Sequence, residues 1–195
     1  MNTEILKKVE NYCKELLDKS RCKALQFHNY QHTLDVVENA NLIAAQSGIT
    51  EENRELLVIS AYFHDVGNME ANKAHEMLSC SIARSFLESE NYPEEKIQQI
   101  ENIILATEIH RKPANLLEEI ICDADLGHLG KKSFLTKNRL LREEWENFLG
   151  MIFTDKEWLQ LNVRFLDEHQ FYTAIARKIY GEQKSRNLIN LRAAL

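Results

Sequence analysis

The sequence predicts an all-α fold, a single compact bundle of about eight to nine helices. Only two prolines and six glycines interrupt the 195 residues. Apolar residues recur at three- and four-residue steps almost throughout, the period of a helix with one buried face. Start and stop signals fall between these periodic stretches. The spacing predicts helices over 3–19, 31–47, 52–66, 73–90, 94–110, 114–126, 132–149, 155–168 and 171–193. The second is read from Val36, Ala40 and Ile43, and the third from the apolar run Leu56–Phe63. The fourth is read from Leu78, Ile82 and Phe86. Pro93 and Pro113 sit at or just before the fifth and sixth, where a missing N–H costs nothing. Leu116–Asp125 supplies the apolar pattern of the sixth. Thr154-Asp155-Lys156-Glu157 has the form of a capping box opening the eighth. Gly48 and Gly181 suit helix ends or loops, although Gly181 also fits as an interruption of a longer helix.

The bulk numbers narrow the function classes. A net charge of −6 offers no general attraction to a nucleic acid duplex or an anionic membrane. Cys13, Cys22, Cys80 and Cys122 lie far apart without a CxxC, which suggests free thiols rather than a zinc ribbon or a disulfide framework. The polar start and the lack of any bilayer-length apolar stretch predict a cytoplasmic protein. No repeat, low-complexity segment or linker divides the chain. The aromatic residues Trp145, Phe148, Phe153, Trp158, Phe165, Phe171 and Tyr172 are expected in the core, with a homodimer face as the other reading.

The chemistry concentrates on histidines and aspartates. His64-Asp65 closes a run that is apolar on nearly every side and is therefore read as buried. A buried carboxylate is costly unless it is paired or binds a metal. His32 lies on the apolar stripe of its helix, one position in phase with Val36, Ala40 and Ile43. His75 leads Leu78, Ile82 and Phe86 in the same way, and His110 follows Ile103 and Thr107. A lone histidine on an apolar face is more often a satisfied core residue. Four on four helices, with aspartates at two helix ends, are more economically satisfied by one shared metal ion. Asp123 and Asp125 lie about equally far from the centre of their apolar face, so periodicity does not choose between them.

The ordered set His32, His64-Asp65 and Asp125 on a helical background resembles the HD-domain superfamily of metal-dependent phosphohydrolases. Beyond that set, the chain looks like a bacterial subfamily of predicted HD phosphohydrolases. The matching stretches are Phe27-His28-Asn29-Tyr30-Gln31-His32-Thr33, Ala61-Tyr62-Phe63-His64-Asp65-Val66-Gly67, Asp123-Ala124-Asp125-Leu126-Gly127-His128-Leu129-Gly130 and Lys184-Ser185-Arg186-Asn187-Leu188. The resemblance covers most of the chain. It implies one domain over 1–195, with a metal-site core about 25–130 and a C-terminal helical extension about 131–195. It implies that His32, His64, Asp65 and Asp125 hold a metal, and it selects Asp125 over Asp123. His75 and His110 occupy the order of the second-metal histidines in two-metal relatives, where Asp65 would bridge the ions. The Gly-Tyr-Pro element of the cyclic di-GMP phosphodiesterases is absent.

The activity implied is hydrolysis of phosphate esters or anhydrides, with nucleotide-like small molecules as substrates. The cofactor would be one or two divalent ions among manganese, magnesium, iron, cobalt and nickel. His64 and Asp65 are the candidate catalytic pair, Asp65 fixing the attacking hydroxide. Candidate substrate contacts are His28, Arg111, Lys112 and Lys131, with Lys132 beside it. For the cations, a solvated surface charge is the plainer account. Two other readings use the same residues: an HD-domain diiron oxygenase, and a metal- or nucleotide-binding module without turnover.

Overall fold

A computed structural model describes residues 2–70 and 75–195. Nine α-helices occur among them: α1 (Thr3–Lys19), α2 (Tyr30–Ala44), α3 (Glu51–Phe63), α4 (His75–Ser89), α5 (Glu94–Leu105), α6 (Leu116–Asp125), α7 (Phe134–Leu149), α8 (Asp155–Glu168) and α9 (Ala174–Ala193). Short 3₁₀ turns follow α1 at Arg21–Ala24, α3 at Val66–Met69 and α6 at Leu126–Gly130. No strand occurs among the described residues.

Helix α3 is the axis of the molecule. Every residue from Glu55 to Phe63 is buried, as its unbroken apolar run requires, and α1, α2, α5 and α6 pack around it. Helix α2 lies against α3 and α6, while α4 pairs with α5. Their inward faces form one continuous core that includes Val36, Ile43, Leu57, Ile59, Phe63, Ile100, Ile104 and Ile121. A second, smaller core of Leu129, Phe134, Leu166 and Leu191 lies under the C-terminal helices. There α9 rests on the Leu126–Gly130 turn. Asn187 ties the two together, donating to the carbonyls of Leu129 (2.8 Å) and Lys131 (3.0 Å).

Local chemistry accounts for most helix boundaries. Asn29, Thr50, Asn115 and Thr173 each cap a helix through a side-chain oxygen. The capping box of Thr154 and Glu157 is present. Gly48 takes the left-handed conformation (φ 66°), whereas Gly181 lies inside α9. Two expectations are corrected. The predicted helix over 52–66 stops at Phe63, so His64 and Asp65 sit at the break rather than within the helix. The predicted helix over 94–110 stops at Leu105, where the Thr107 hydroxyl donates to the carbonyl of Ile104 (2.7 Å). The start of the predicted 73–90 helix falls partly outside the described residues. The C-terminal aromatics divide: Trp158 and Phe171 are buried, while Phe148, Phe165 and Tyr172 are exposed.

Candidate metal centre

Three chain breaks deliver the histidine and aspartate side chains to one point. His32 occupies the first turn of α2, beneath the Asn29 cap. His64 caps the C-terminus of α3, and its Nδ1–H donates to the Ala61 carbonyl (2.8 Å). That bond leaves the Nε2 lone pair facing the cluster. Asp65 follows at φ −111°, ψ 2°, the sparsely populated bridge region. Asp125 is the last residue of α6. The four come from three places, the start of α2, the end of α3 and the end of α6, which packing of α2 and α6 on α3 brings together.

The distances are those of a ligand set. His32 Nε2 lies 3.0 Å from Asp125 Oδ1 and 3.4 Å from both Asp65 Oδ2 and His64 Nε2. His64 Nε2 lies 3.4 Å from Asp65 Oδ2 and 3.7 Å from Asp125 Oδ1. Ligand atoms about 2.0–2.2 Å from a divalent ion, at angles near 90–110°, are spaced roughly 2.8–3.6 Å apart. Asp65 Oδ2 is buried and has no hydrogen-bond partner, a costly condition unless a cation completes it. The residues therefore fit a divalent metal.

The electrostatics agree. Burial opposes ionisation of Asp65, but the charge of the neighbouring His64 outweighs it and holds the carboxyl well below its usual range. Burial likewise disfavours the His64 imidazolium, yet Asp65 and Asp125 raise its pKa to about 9. The buried carboxylate of Asp65 and the half-buried one of Asp125 thus draw positive charge into this space. His128, whose Nδ1 lies 3.2 Å from the Asp125 carbonyl, is pushed down to about 4 by burial and by His32.

The Asp123-Ala124-Asp125 ambiguity is resolved by contacts. Asp123 turns away from the cluster and accepts the backbone N–H groups of Tyr172 (2.7 Å) and Thr173 (2.8 Å) at the start of α9. Asp123→Ala is expected to retain metal and to cost about 3 kcal/mol, the scale for losing hydrogen bonds to a buried charge. Asp125→Ala is expected to lose metal with a smaller change in stability. Urea unfolding of the metal-free variants, beside metal analysis of the loaded ones, separates the two roles.

The remaining candidates divide. His75 Nε2 reaches Asp65 Oδ1 (3.2 Å) and lies 3.4 Å from Glu76 Oε1. His110 is not brought to the cluster: it lies beyond α5, exposed, in a left-handed conformation (φ 73°). The expectation that it shares an inward helical face is thereby corrected. Arg111 and Lys112 are exposed beside it, whereas Lys131 is half-buried and Lys132 exposed.

Three polar residues near the site carry no sequence signal. Lys137 pairs with Asp35 Oδ2 (2.7 Å). Glu76 is buried beside His75. Glu144, buried on α7, accepts the backbone N–H groups of Phe27 (2.7 Å) and His28 (2.9 Å) and hydrogen-bonds His28 Nδ1. Burial opposes ionisation of Glu144, but the bond from His28 outweighs it and lowers the carboxyl's pKa. The His28 and His32 ring centroids are 5.8 Å apart. Elsewhere, a cavity of about 530 Å³ opens between α1, α3 and the α4–α5 turn, away from these residues. Its buried Glu55 is already satisfied by the Asn2 backbone N–H and the Tyr92 hydroxyl.

The family profile described as the HD domain matches residues 29–128, a span that contains His32, His64, Asp65 and Asp125. The chain belongs to the HD domain family. The HD fold is also similar to that in the crystal structure of a predicted HD superfamily hydrolase from an uncultured Thermotogales bacterium. The TM-score is 0.66 at 18% identity, over 96% of this chain and 89% of that one. No curated protein matches this HD chain. No helix among its described residues is long and apolar enough to cross a membrane.

Proposed function

We propose that the protein is a metal-dependent phosphohydrolase acting on esters or anhydrides of small, nucleotide-like molecules. The observation that carries this reading is the convergence of His32, His64, Asp65 and Asp125, with Asp65 Oδ2 buried and otherwise unpartnered. Mixed imidazole and carboxylate donors suit manganese, iron, cobalt, nickel or magnesium. A bound ion would lower the pKa of a water and polarise a phosphoryl oxygen. The chain's own part is to hold that geometry. His64 is fixed by Ala61, and Asp65 by His75 on its other oxygen. His75 stands where a second ion would need a ligand. His110 contributes nothing there unless the turn after α5 refolds.

Phosphate charge calls for cations beyond the metal. Lys131 and Lys137 are the better-placed pair, since both charges act on Asp35, which lies one turn after Gln31 on α2. Arg111 and Lys112 are exposed in the turn after α5. The core about 25–130 and the extension about 131–195 act in this reading as one unit, because Glu144 of α7 reaches back to His28.

The test is turnover of a panel of nucleoside mono-, di- and triphosphates, cyclic nucleotides and p-nitrophenyl phosphate. The protein is loaded in turn with each of the five metals, in air and without oxygen. Phosphate or nitrophenol release that a chelator abolishes and oxygen does not affect is the expected result. Absence of release with every metal overturns the reading, and iron-dependent oxygen uptake would replace it with the oxygenase.

A further inference from the structure

Helix α7 runs beside the start of α2. Glu144 meets the backbone of Phe27 and His28, just before α2, and Lys137 meets Asp35 within α2 (2.7 Å). The two are seven residues apart and share one face of α7, so their contacts bracket His32. Lys137 is also near enough for its charge to be felt at His128, whose ring nitrogen meets the Asp125 carbonyl. A second ammonium, Lys131, comes from the chain immediately after the Leu126–Gly130 turn. Its backbone is pinned at both groups: the N–H donates to the His128 carbonyl (3.2 Å), and the carbonyl accepts from Asn187 (3.0 Å).

Asp35 is the anion both lysines act on. Burial opposes its ionisation, but the bonds from Lys137 and Gln31 and the charge of Lys131 outweigh that and lower its pKa. Gln31 holds Oδ1 (3.0 Å) and Lys137 holds Oδ2. The Lys137 and Asp35 side chains are only 20% and 28% exposed, so neither charge is stranded cheaply. Among the described residues Lys131 has no ion-pair partner. Two ammoniums thus act on one carboxylate, a local positive excess in a chain of net charge −6. A structural tie between α2 and α7 would need one lysine. Asp35 lies three residues beyond His32, about 4.5 Å along the helix. That offset suits a group adjoining the reacting phosphoryl rather than the reacting phosphoryl itself.

We propose that Lys131 and Lys137 form a subsite for a second phosphoryl group, which displaces Asp35 from Lys137, and that the substrate is a phosphoanhydride such as a nucleoside di- or triphosphate. This rests on the phosphohydrolase reading. Water supplies the hydroxide that bonds to the attacked phosphorus, and its other proton passes to solvent. The bond from that phosphorus to the bridging oxygen breaks, and its electron pair leaves on the departing phosphate. The lysines meet the charge growing on that group, and Asp35 regains Lys137 when the group leaves.

The experiment measures kcat and KM for manganese-loaded wild type, Lys137→Gln, Lys131→Gln and Asp35→Asn, with free manganese held constant. The substrates are nucleoside di- and triphosphates and pyrophosphate, beside nucleoside monophosphates, cyclic nucleotides and p-nitrophenyl phosphate. Each lysine variant should lose about 10–100-fold in kcat/KM on the anhydrides, the scale of a hydrogen bond to a charged group, and far less on the esters. Asp35→Asn should move the other way, lowering KM for anhydrides about threefold or more, because Lys137 then stands ready in a larger fraction of molecules. A structural tie predicts instead that Lys137→Gln and Asp35→Asn lose together and on both substrate classes, and that result overturns the subsite. Lys131→Gln breaks no ion pair, so it decides the matter even where Lys137→Gln folds poorly. Turnover confined to esters also overturns the subsite. Absence of turnover by wild type on every substrate overturns the phosphohydrolase reading itself, and the subsite with it.

Discussion

Asp65→Ala is expected to yield a folded protein that binds divalent metal at least about 100-fold more weakly than wild type. Loss of a residue that merely supports a ligand already costs about 10–100-fold, and Asp65 presents its own oxygen to the cluster. Hydrolytic activity should fall to background. The stability readout has a distinctive sign. In wild type, saturating manganese should raise the melting temperature, by about 2.7 kcal/mol of added stability at a hundred times the dissociation constant. In the variant that shift should vanish. The metal-free variant, by contrast, should be nearly as stable as metal-free wild type. It loses the contact with His75 (3.2 Å) and the attraction of His64 (3.4 Å), but is also relieved of burying a carboxylate whose Oδ2 has no hydrogen-bond partner. Thermal melts across a manganese titration check both statements, and a manganese-induced shift that persists in Asp65→Ala would refute the assignment.

Gly67→Ala should be the most damaging small substitution. A Cβ there would lie 2.0 Å from the His75 carbonyl oxygen, 2.9 Å from its carbon and 3.0 Å from the Ser79 nitrogen. All three are backbone atoms and cannot rotate aside. The Gly67 N–H also donates to Ser79 Oγ (2.9 Å), whose hydroxyl donates to the His64 carbonyl (2.8 Å). Relief of the clash requires α4 to move off the Val66–Met69 turn, breaking these bonds and drawing His75 from Asp65. Overpacking costs about 1–3 kcal/mol and each lost hydrogen bond about 1 more. A total near 3 kcal/mol corresponds to a fall of about 6–12 °C for a chain of this size. Gly181→Ala is the control. Nothing lies within 4 Å of its added methyl, and in the middle of α9 it should stabilise by about 0.5–1 kcal/mol. Melting curves of the two variants, with manganese affinity for Gly67→Ala, test the pair.

The limits of local reading show in particular residues. His110 continued the three- and four-residue pattern of Ile103 and Thr107, but a pattern does not state where a helix ends. The Thr107 hydroxyl turns back on the Ile104 carbonyl, and the chain leaves the helix before His110. Asp123 and Asp125 lie about equally far from the centre of their apolar face, so their different partners, α9 backbone for one and the His32 imidazole for the other, arise only when distant elements pack. Glu144 sits among Arg142, Glu143 and Glu146 on a helix that reads as polar surface. Its burial depends on a segment 116 residues away.

The sequence by itself determined the helical class, nearly every helix start, and the placing of His32 and the His64-Asp65 pair on or at the end of apolar helical faces. Those depend on short-range physics: a period of 3.6, capping side chains within three residues, and the cost of burying a carboxylate after an apolar run. Only the tertiary structure decided which aspartate faces His32, that His75 joins Asp65 while His110 does not, and that α7 returns a carboxylate to His28. Those outcomes are set by where helices stop and what packs across them. Such contacts join residues that share no local pattern, and their energies exist only once α3 has gathered its neighbours.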